Sequence, residues 1–225
     1  MRLLFVDNSG ESEIYSPLEH WKPLFPEDFH CVDATRGGLS GLDPRDYSHV
    51  ILSGSESCTL DEEAWMLEEE GFVRAVVAEK IPLLGSCFGH QLIAKTLFGR
   101  DAVRVRPKGE VGWKEIRVGA DDPLWGRKGE TQWAFLFHYD EVAFVPPDGG
   151  QVLASSDECG IQGFKVRDLP VWGAQPHFEI GVTQGIQLLR GAHCSPDEVQ
   201  GGVPPRDTGF VVTMMRRFLE SRPGA

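Results

Sequence analysis

Short apolar runs alternate with helix-forming runs through the first hundred residues, and no other feature restricts the fold as much. "RLLFVDN", "FHCVDAT", "HVILSGS" and "IPLLGS" are apolar, partly β-branched and too short for helices, so they read as strands. Between them, "SPLEHWKPLF" places Ser16, Pro17 and Glu19 at the N-cap, N1 and N3 positions of a helix. "TLDEEAWMLEEEGFVRAVVAEK" repeats the signal with Thr59 at the N-cap and Glu62 at N3. In it Trp65, Phe72, Val73 and Val76 recur at helical spacing and predict a core stripe. Its acidic run reads as a solvated face, and Gly71 is expected to interrupt it. "GHQLIAKTLFG" is a further helix, closed by Gly99. Such alternation predicts an α/β fold: an open, mostly parallel sheet flanked by helices. Ligands of such sheets bind beyond the carboxyl ends of the strands, where Gly54 and Cys87 both fall.

After residue 100 the pattern becomes β-rich. "VRVRP", "WKEIRVG", "TQWAFLFHYDEV", "QVLASS", "IQGFKVR" and "VWGAQPH" predict successive strands, partly antiparallel. Helices are expected near 180–190 and 208–221, with "GGVPP" as a loop between them. With no internal repeat or linker, the 225 residues are read as one domain, 1–225.

Composition removes several function classes. The net charge of −12 argues against nucleic acid and anionic membranes as partners. The basic strip of Arg104, Arg106 and Lys108 reads more simply as a solvated strand face than as a phosphate site. No apolar run approaches the roughly 20 residues of a membrane helix. Asp7 and Asn8 break the N-terminal apolar run before it reaches the length of a secretory core segment, so a cytoplasmic location is expected. The five cysteines form no CxxC pair, which argues against a disulfide framework or structural zinc; most read as small buried hydrophobes.

Cys87 needs a separate reading. In Gly85-Ser86-Cys87-Phe88-Gly89 a thiol sits on a strand-to-helix turn, with glycines two residues away on each side. Such a turn forces unusual backbone angles, and the glycines let neighbouring chain approach. The helix that follows aims N–H groups and its positive end at the sulfur, favouring thiolate. The Phe88 N–H is placed to bind an oxyanion. On this motif alone, a buried packing cysteine fits equally well. A nucleophile also needs a base and a group to orient it. Of the seven histidines, His177 stands out, with Glu179 two residues on at the end of an apolar strand. Residues i and i+2 of an extended chain share a side, so the carboxylate can fix the imidazole tautomer.

With those residues in view, "PLLGSCFGHQLIAKTLFG" resembles the nucleophile segment of the class I (triad type) glutamine amidotransferases, and is especially similar to the amidotransferase domain of GMP synthase and its standalone relatives. "VILSGS", "FHYDEVAFVPPDGGQVLASS" and "VWGAQPHFE" resemble the family's oxyanion loop, His-x-Asp-x-Val run and Gly-x-Gln-Phe-His-Pro-Glu signature, in the family's order. The resemblance implies a flavodoxin-like amidotransferase fold and no metal or organic cofactor. It implies Cys87 as nucleophile, His177 as base then acid, and Glu179 as orienter. Gly54, Ser55 and the Phe88 amide would bind the oxyanion. Gln91 and the Tyr139 backbone would hold the substrate, while His138 and Asp140 read as structural. Three departures stand out: Pro176 and Phe178 have exchanged places, Gly54-Ser55-Glu56 stands where Gly-Gly-Pro is common, and Ser86 replaces an apolar residue.

The implied activity is hydrolysis of the glutamine side-chain amide, with ammonia released to a separate synthetase, since no Gly-x-x-x-x-Gly-Lys-Ser/Thr phosphate loop occurs in this chain. The alternative is a γ-glutamyl peptide or amide hydrolase working alone with the same three residues. A third reading, a non-catalytic module, is disfavoured by the intact Cys–His–Glu set. An α/β-hydrolase is disfavoured by chain order, because its acid normally precedes its histidine.

Overall fold

The structure, a computed structural model, describes residues 2–10, 15–195, 199, 205 and 209–221. Nine strands form one sheet in the order β2-β1-β3-β4-β9-β8-β7-β5-β6. β1 (Leu3–Asp7), β2 (Phe29–Asp33), β3 (His49–Leu52), β4 (Leu83–Ser86) and β9 (Val171–Ala174) run parallel. β5 (Val103–Val118), β6 (Thr131–Val142), β7 (Gly150–Ser155) and β8 (Gly163–Val166) extend that sheet in antiparallel pairings. The β-rich second half is thus joined edge to edge with the α/β half. β9, last in sequence, lies in the middle beside β4, which carries the C-terminal ends of both toward one site.

Alternation along the strands divides the core. Leu4 and Val6 face α2 (Ala64–Ala78) and α3 (Phe88–Phe98), meeting Phe72, Val73, Leu92 and Ile93. Leu3 and Phe5 face the other side, against Trp21 of α1 (Pro17–Trp21) and Phe210, Met214 and Phe218 of α5 (Phe210–Glu220). Each such side chain withdrawn from water contributes about 1.5–3 kcal/mol. A third cluster packs α4 (Val182–Gly191) through Leu189 onto Trp113 and Phe135. Among the described residues, no helix is long and apolar enough to cross a membrane. The expected "GGVPP" loop lies outside the described residues except for Pro205.

Several local expectations are corrected. α2 starts at Ala64 rather than after Thr59, because Thr59–Asp61 form a 3-10 turn that Glu62 ends at φ 54°. Gly71 does not interrupt it: the residue is exposed, and one glycine costs only about 1 kcal/mol. The acidic run is not wholly solvated, since Glu69 and Glu70 are buried. Glu70 pairs with Lys95 (2.9 Å) and Arg74 (2.9 Å), so its charge is neutralised where it stands. The basic strip is a solvated face at Arg104 and Lys108, which are exposed, but not at Arg106, whose side chain is mostly buried; both arginines pair with the buried Glu141. The two expected strands "VRVRP" and "WKEIRVG" are one strand, β5, whose register shifts between Val105 and Glu110.

Candidate active site

Cys87 occupies the turn between β4 and α3 with φ 49° and ψ −104°. A non-glycine residue there carries strain of about 1–3 kcal/mol, which the surroundings must impose. The flanking glycines are part of that imposition. A Cβ on Gly85 would lie 2.4 Å from the backbone of Gly89, and one on Gly89 would lie 2.6 Å from the Leu52 carbonyl. The Cys87 N–H donates to Ala174 O (2.9 Å), tying the turn to β9. Its side chain is only 5% exposed, on the wall of a cavity of about 310 Å³.

His177 enters from the opposite side. It lies in a turn beyond β9, closed by the Ile180 N–H donating to its carbonyl (3.3 Å), rather than along an extended strand. Its N–H donates to Phe135 O (2.8 Å), which anchors it to β6. The exchange of Pro176 and Phe178 fits this turn: Phe178 points into the core against Trp125 (5.5 Å) and Phe210 (5.1 Å), while His177 faces the cavity. His177 Nδ1–H donates to Glu179 Oε1 (2.8 Å), and the imidazole shares the cavity wall with Cys87, whose Sγ–H donates to Phe137 O (3.9 Å). Burial alone would push His177 down, but the charges of Cys87 and Glu179 outweigh it and raise the group to about 10. Burial would likewise raise Glu179, yet the charge of His177 and the hydrogen bonds from His177 and Tyr15 hold it below the ordinary carboxylate value.

The remaining expected residues surround this pair. Gly54 is buried against the imidazole, where a Cβ would lie 2.8 Å from His177 Cε1. Ser55 lines the cavity. Among the described residues, neither the Ser55 N–H nor the Phe88 N–H has an acceptor. The Phe88 ring itself is core, stacked on Trp65 (5.4 Å). Gln91 is on the wall, but both its amide protons go to protein, to Asp140 O (2.9 Å) and Gln175 Oε1 (3.1 Å). Tyr139 is half exposed at the rim. His138 joins β6 to β5: Nδ1–H donates to Asp140 O (2.8 Å), and Nε2 meets the buried Glu110 (3.1 Å).

Sequence reasoning missed Tyr15, Cys58 and Leu188. The Tyr15 hydroxyl donates to Glu179 Oε1 (2.5 Å), and its ring meets His177 edge-on. Burial first, then the charge of Glu179, keeps Tyr15 well above the ordinary tyrosine value, so it remains a donor. Cys58 is a second thiol on the cavity wall, pushed up to about 11 by burial and Asp140. Leu188 reaches the cavity from α4. Tyr15 and Leu188 belong to no short-range motif and meet the site only through the fold, whereas Cys58 follows Ser55 by three residues in the same loop.

A strained cysteine on a strand-to-helix turn, a buried histidine on the same cavity wall and a carboxylate behind the histidine form an arrangement suited to a cysteine nucleophile. The sequence matches the glutamine amidotransferase class-I family over residues 43–191, and the chain belongs to that family. It is 32% identical over 185 residues to a subunit of the glutamine-hydrolyzing GMP synthase of Halobacterium salinarum, covering 81% of this chain and 91% of that one. The corresponding GMP synthase subunit of Pyrococcus abyssi is 37% identical over 148 residues, covering 64% and 72%. A crystal structure of a glutamine amidotransferase from Thermotoga maritima superposes with a TM-score of 0.78 at 22% identity, over 98% of both chains. One from Methylobacillus flagellatus gives 0.77 at 20% identity, over 100% of this chain and 97% of that one. The chain is thus an enzyme of the glutamine amidotransferase class.

Proposed function

We propose that Cys87 cleaves the side-chain amide of glutamine through a γ-glutamyl thioester and that the ammonia passes to a separate synthetase. The observation that carries this reading is that Cys87 and His177 line one cavity, with Glu179 held 2.8 Å behind the imidazole. The Cys87 thiolate attacks the amide carbon, and the carbonyl electron pair moves onto oxygen. N–H groups of Phe88 and of the Gly54–Ser55 loop donate to that oxyanion; one such donor is worth about 3–4 kcal/mol. The carbon–nitrogen bond breaks as the His177 imidazolium gives its proton to the nitrogen, and ammonia leaves. His177, now neutral, takes a proton from water; the hydroxide attacks the thioester, the carbon–sulfur bond breaks, and glutamate departs. Glu179 keeps Nδ1 protonated throughout, so the other side of the ring handles the moving proton.

Substrate recognition is assigned to the cavity wall. Gln91, its N–H groups already spent, offers its carbonyl oxygen to the substrate, and the backbone at Tyr139 takes the amino-acid end. Family membership and the likeness to glutamine-hydrolyzing GMP synthase subunits support glutamine over other γ-glutamyl compounds, and a separate synthetase chain to receive the ammonia.

The test is glutamate release from glutamine and from γ-glutamyl dipeptides by the protein alone, then with a candidate synthetase. Glutamine turnover enhanced by the partner supports the proposal. Turnover of dipeptides but not of glutamine replaces it with the γ-glutamyl hydrolase. Full activity of Cys87→Ala on every substrate defeats both.

A further inference from the structure

Behind the loop that follows β3 lies a row of buried polar groups that the chemistry above does not use. Glu69 of α2 is completely buried, as are Ser53 and, to within 1%, Asn8. Asn8 Nδ2 donates to Glu69 Oε1 (3.1 Å) and to the Ser53 carbonyl (3.3 Å). The Asn8 N–H donates to Ser53 Oγ (2.9 Å), and that hydroxyl in turn donates to Gly54 O (2.8 Å). The Ser53 carbonyl also receives the N–H of Gly89 (3.1 Å), two residues beyond the cysteine. A path of hydrogen bonds therefore runs from α2, through the end of β1, to the loop facing the site and to the cysteine turn.

This is an expensive way to fill the volume. Burial holds the Glu69 carboxyl at about 8, with the Asn8 hydrogen bond pulling it down and the charge of Glu70 pushing it up. Asn8 Oδ1 and Glu69 Oε2 are buried without a partner among the described residues. Such groups are destabilising relative to apolar ones of similar shape, so stability alone does not account for them. The geometry of the loop supplies a reason. In a trans peptide the carbonyl and the following N–H point to opposite sides, and the described chain has no cis bond. Fixing Gly54 O toward Ser53 Oγ therefore turns the Ser55 N–H the other way, and Ser55 lines the cavity.

We infer that Glu69 and Asn8 are positioning residues for the oxyanion loop: through Ser53 they fix the Gly54–Ser55 peptide so that its N–H faces the site. The inference rests on the thioester reading, because that N–H matters only if an oxyanion forms beside it. Neither residue touches substrate, so their effect falls on kcat and not on binding.

The experiment compares Ser53→Ala, Glu69→Leu and Glu69→Gln with the parent, by kcat and KM on glutamine, melting temperature, and the rate of Cys87 alkylation by iodoacetamide. Ser53→Ala and Glu69→Leu are expected to lower kcat about 10- to 100-fold. KM should stay within about threefold, and alkylation of the thiol should be unchanged, because it needs no oxyanion donor. Glu69→Gln, which keeps an acceptor for Asn8 Nδ2, should recover most of kcat. Parent-like kcat in folded Ser53→Ala, or equal impairment by Gln and Leu at position 69, overturns the inference. Should Glu69→Leu not fold, Ser53→Ala and Glu69→Gln decide alone. An inactive Cys87→Ala beside a fully active Ser53→Ala sinks only the positioning role; an active Cys87→Ala sinks the thioester reading with it.

Discussion

The two sides of the site are held by different means. Cys87 is fixed mainly by its own turn, with a strained backbone, two flanking glycines and the start of a helix within five residues, against which β3 at Leu52 and β9 at Ala174 close. His177 and Glu179 are fixed from afar. Phe135 of β6 holds the histidine backbone, Tyr15 holds the carboxylate, and Phe178 locks the turn into the core under α5. The nucleophile side thus depends on steric exclusion, which is all or nothing. The base side depends on several hydrogen bonds and packing contacts, each removable at modest cost.

Substitutions should reveal this contrast as a gradient. The largest effect is expected from Cys87→Ala, a loss of about 10⁴-fold or more in kcat, read by glutamate release. Glu179→Gln should cost about 10³-fold, since it weakens control of the imidazole tautomer without removing the nucleophile. Gly89→Ala should act on the fold, because its Cβ would meet the Leu52 carbonyl at 2.6 Å; a loss of about 3 kcal/mol in unfolding free energy is expected from chemical denaturation. Tyr15→Phe should be milder, about tenfold in kcat with a stability loss of about 1–2 kcal/mol, smaller than that of Gly89→Ala, as the buried Glu179 loses one donor. Comparable losses from Gly89→Ala and Tyr15→Phe in both stability and rate would erase the contrast.

Protonation gives a finer probe. Tyr15 helps hold Glu179 below its ordinary value, so the Glu179 contribution to stability is present above the unfolded carboxylate range and is lost as pH falls through the lower folded value. Tyr15→Phe should move that loss to higher pH. Glu69 has the opposite sign. Its folded value near 8 lies above the unfolded one, so the folded state holds a proton the unfolded chain has released. Stability should therefore decline as pH rises from about 4.5 to 8, and Glu69→Gln should flatten that slope in melting scans. An unchanged slope would remove Glu69 as its source.

What the sequence made legible follows the same division. The cysteine turn could be read because its residue types, the glycines, the cysteine and the helix start, are neighbours in the chain, although Leu52 and Ala174 that close on it are not. The parallel strands could be read because each is an uninterrupted apolar run. The second side was legible only as residue types. His177 and Glu179 were expected to share one side of an extended strand, whereas they meet in a turn whose shape depends on Phe135, 42 residues away by number. The acidic face of α2 was misread for the same reason: Asn8 and Lys95, which pair with Glu69 and Glu70, are remote in sequence. Arg106 looked solvated because Glu141 comes alongside only when β5 pairs with β6, whereas Arg104 is solvated as expected. Helical periodicity placed the core stripe of α2 correctly but could not foresee that Thr59 opens a 3-10 turn, since Glu62 at φ 54° carries no local signal.

Acid quenching during glutamine turnover, followed by mass spectrometry of the peptide carrying Cys87, tests the attacking atom itself. The account predicts a γ-glutamyl adduct on Cys87 that accumulates in Glu179→Gln, where its hydrolysis is slowed, and is absent from Cys87→Ala. Steady release of glutamate with no adduct on Cys87 in either the parent or Glu179→Gln, and with Cys87→Ala equally active, would contradict it.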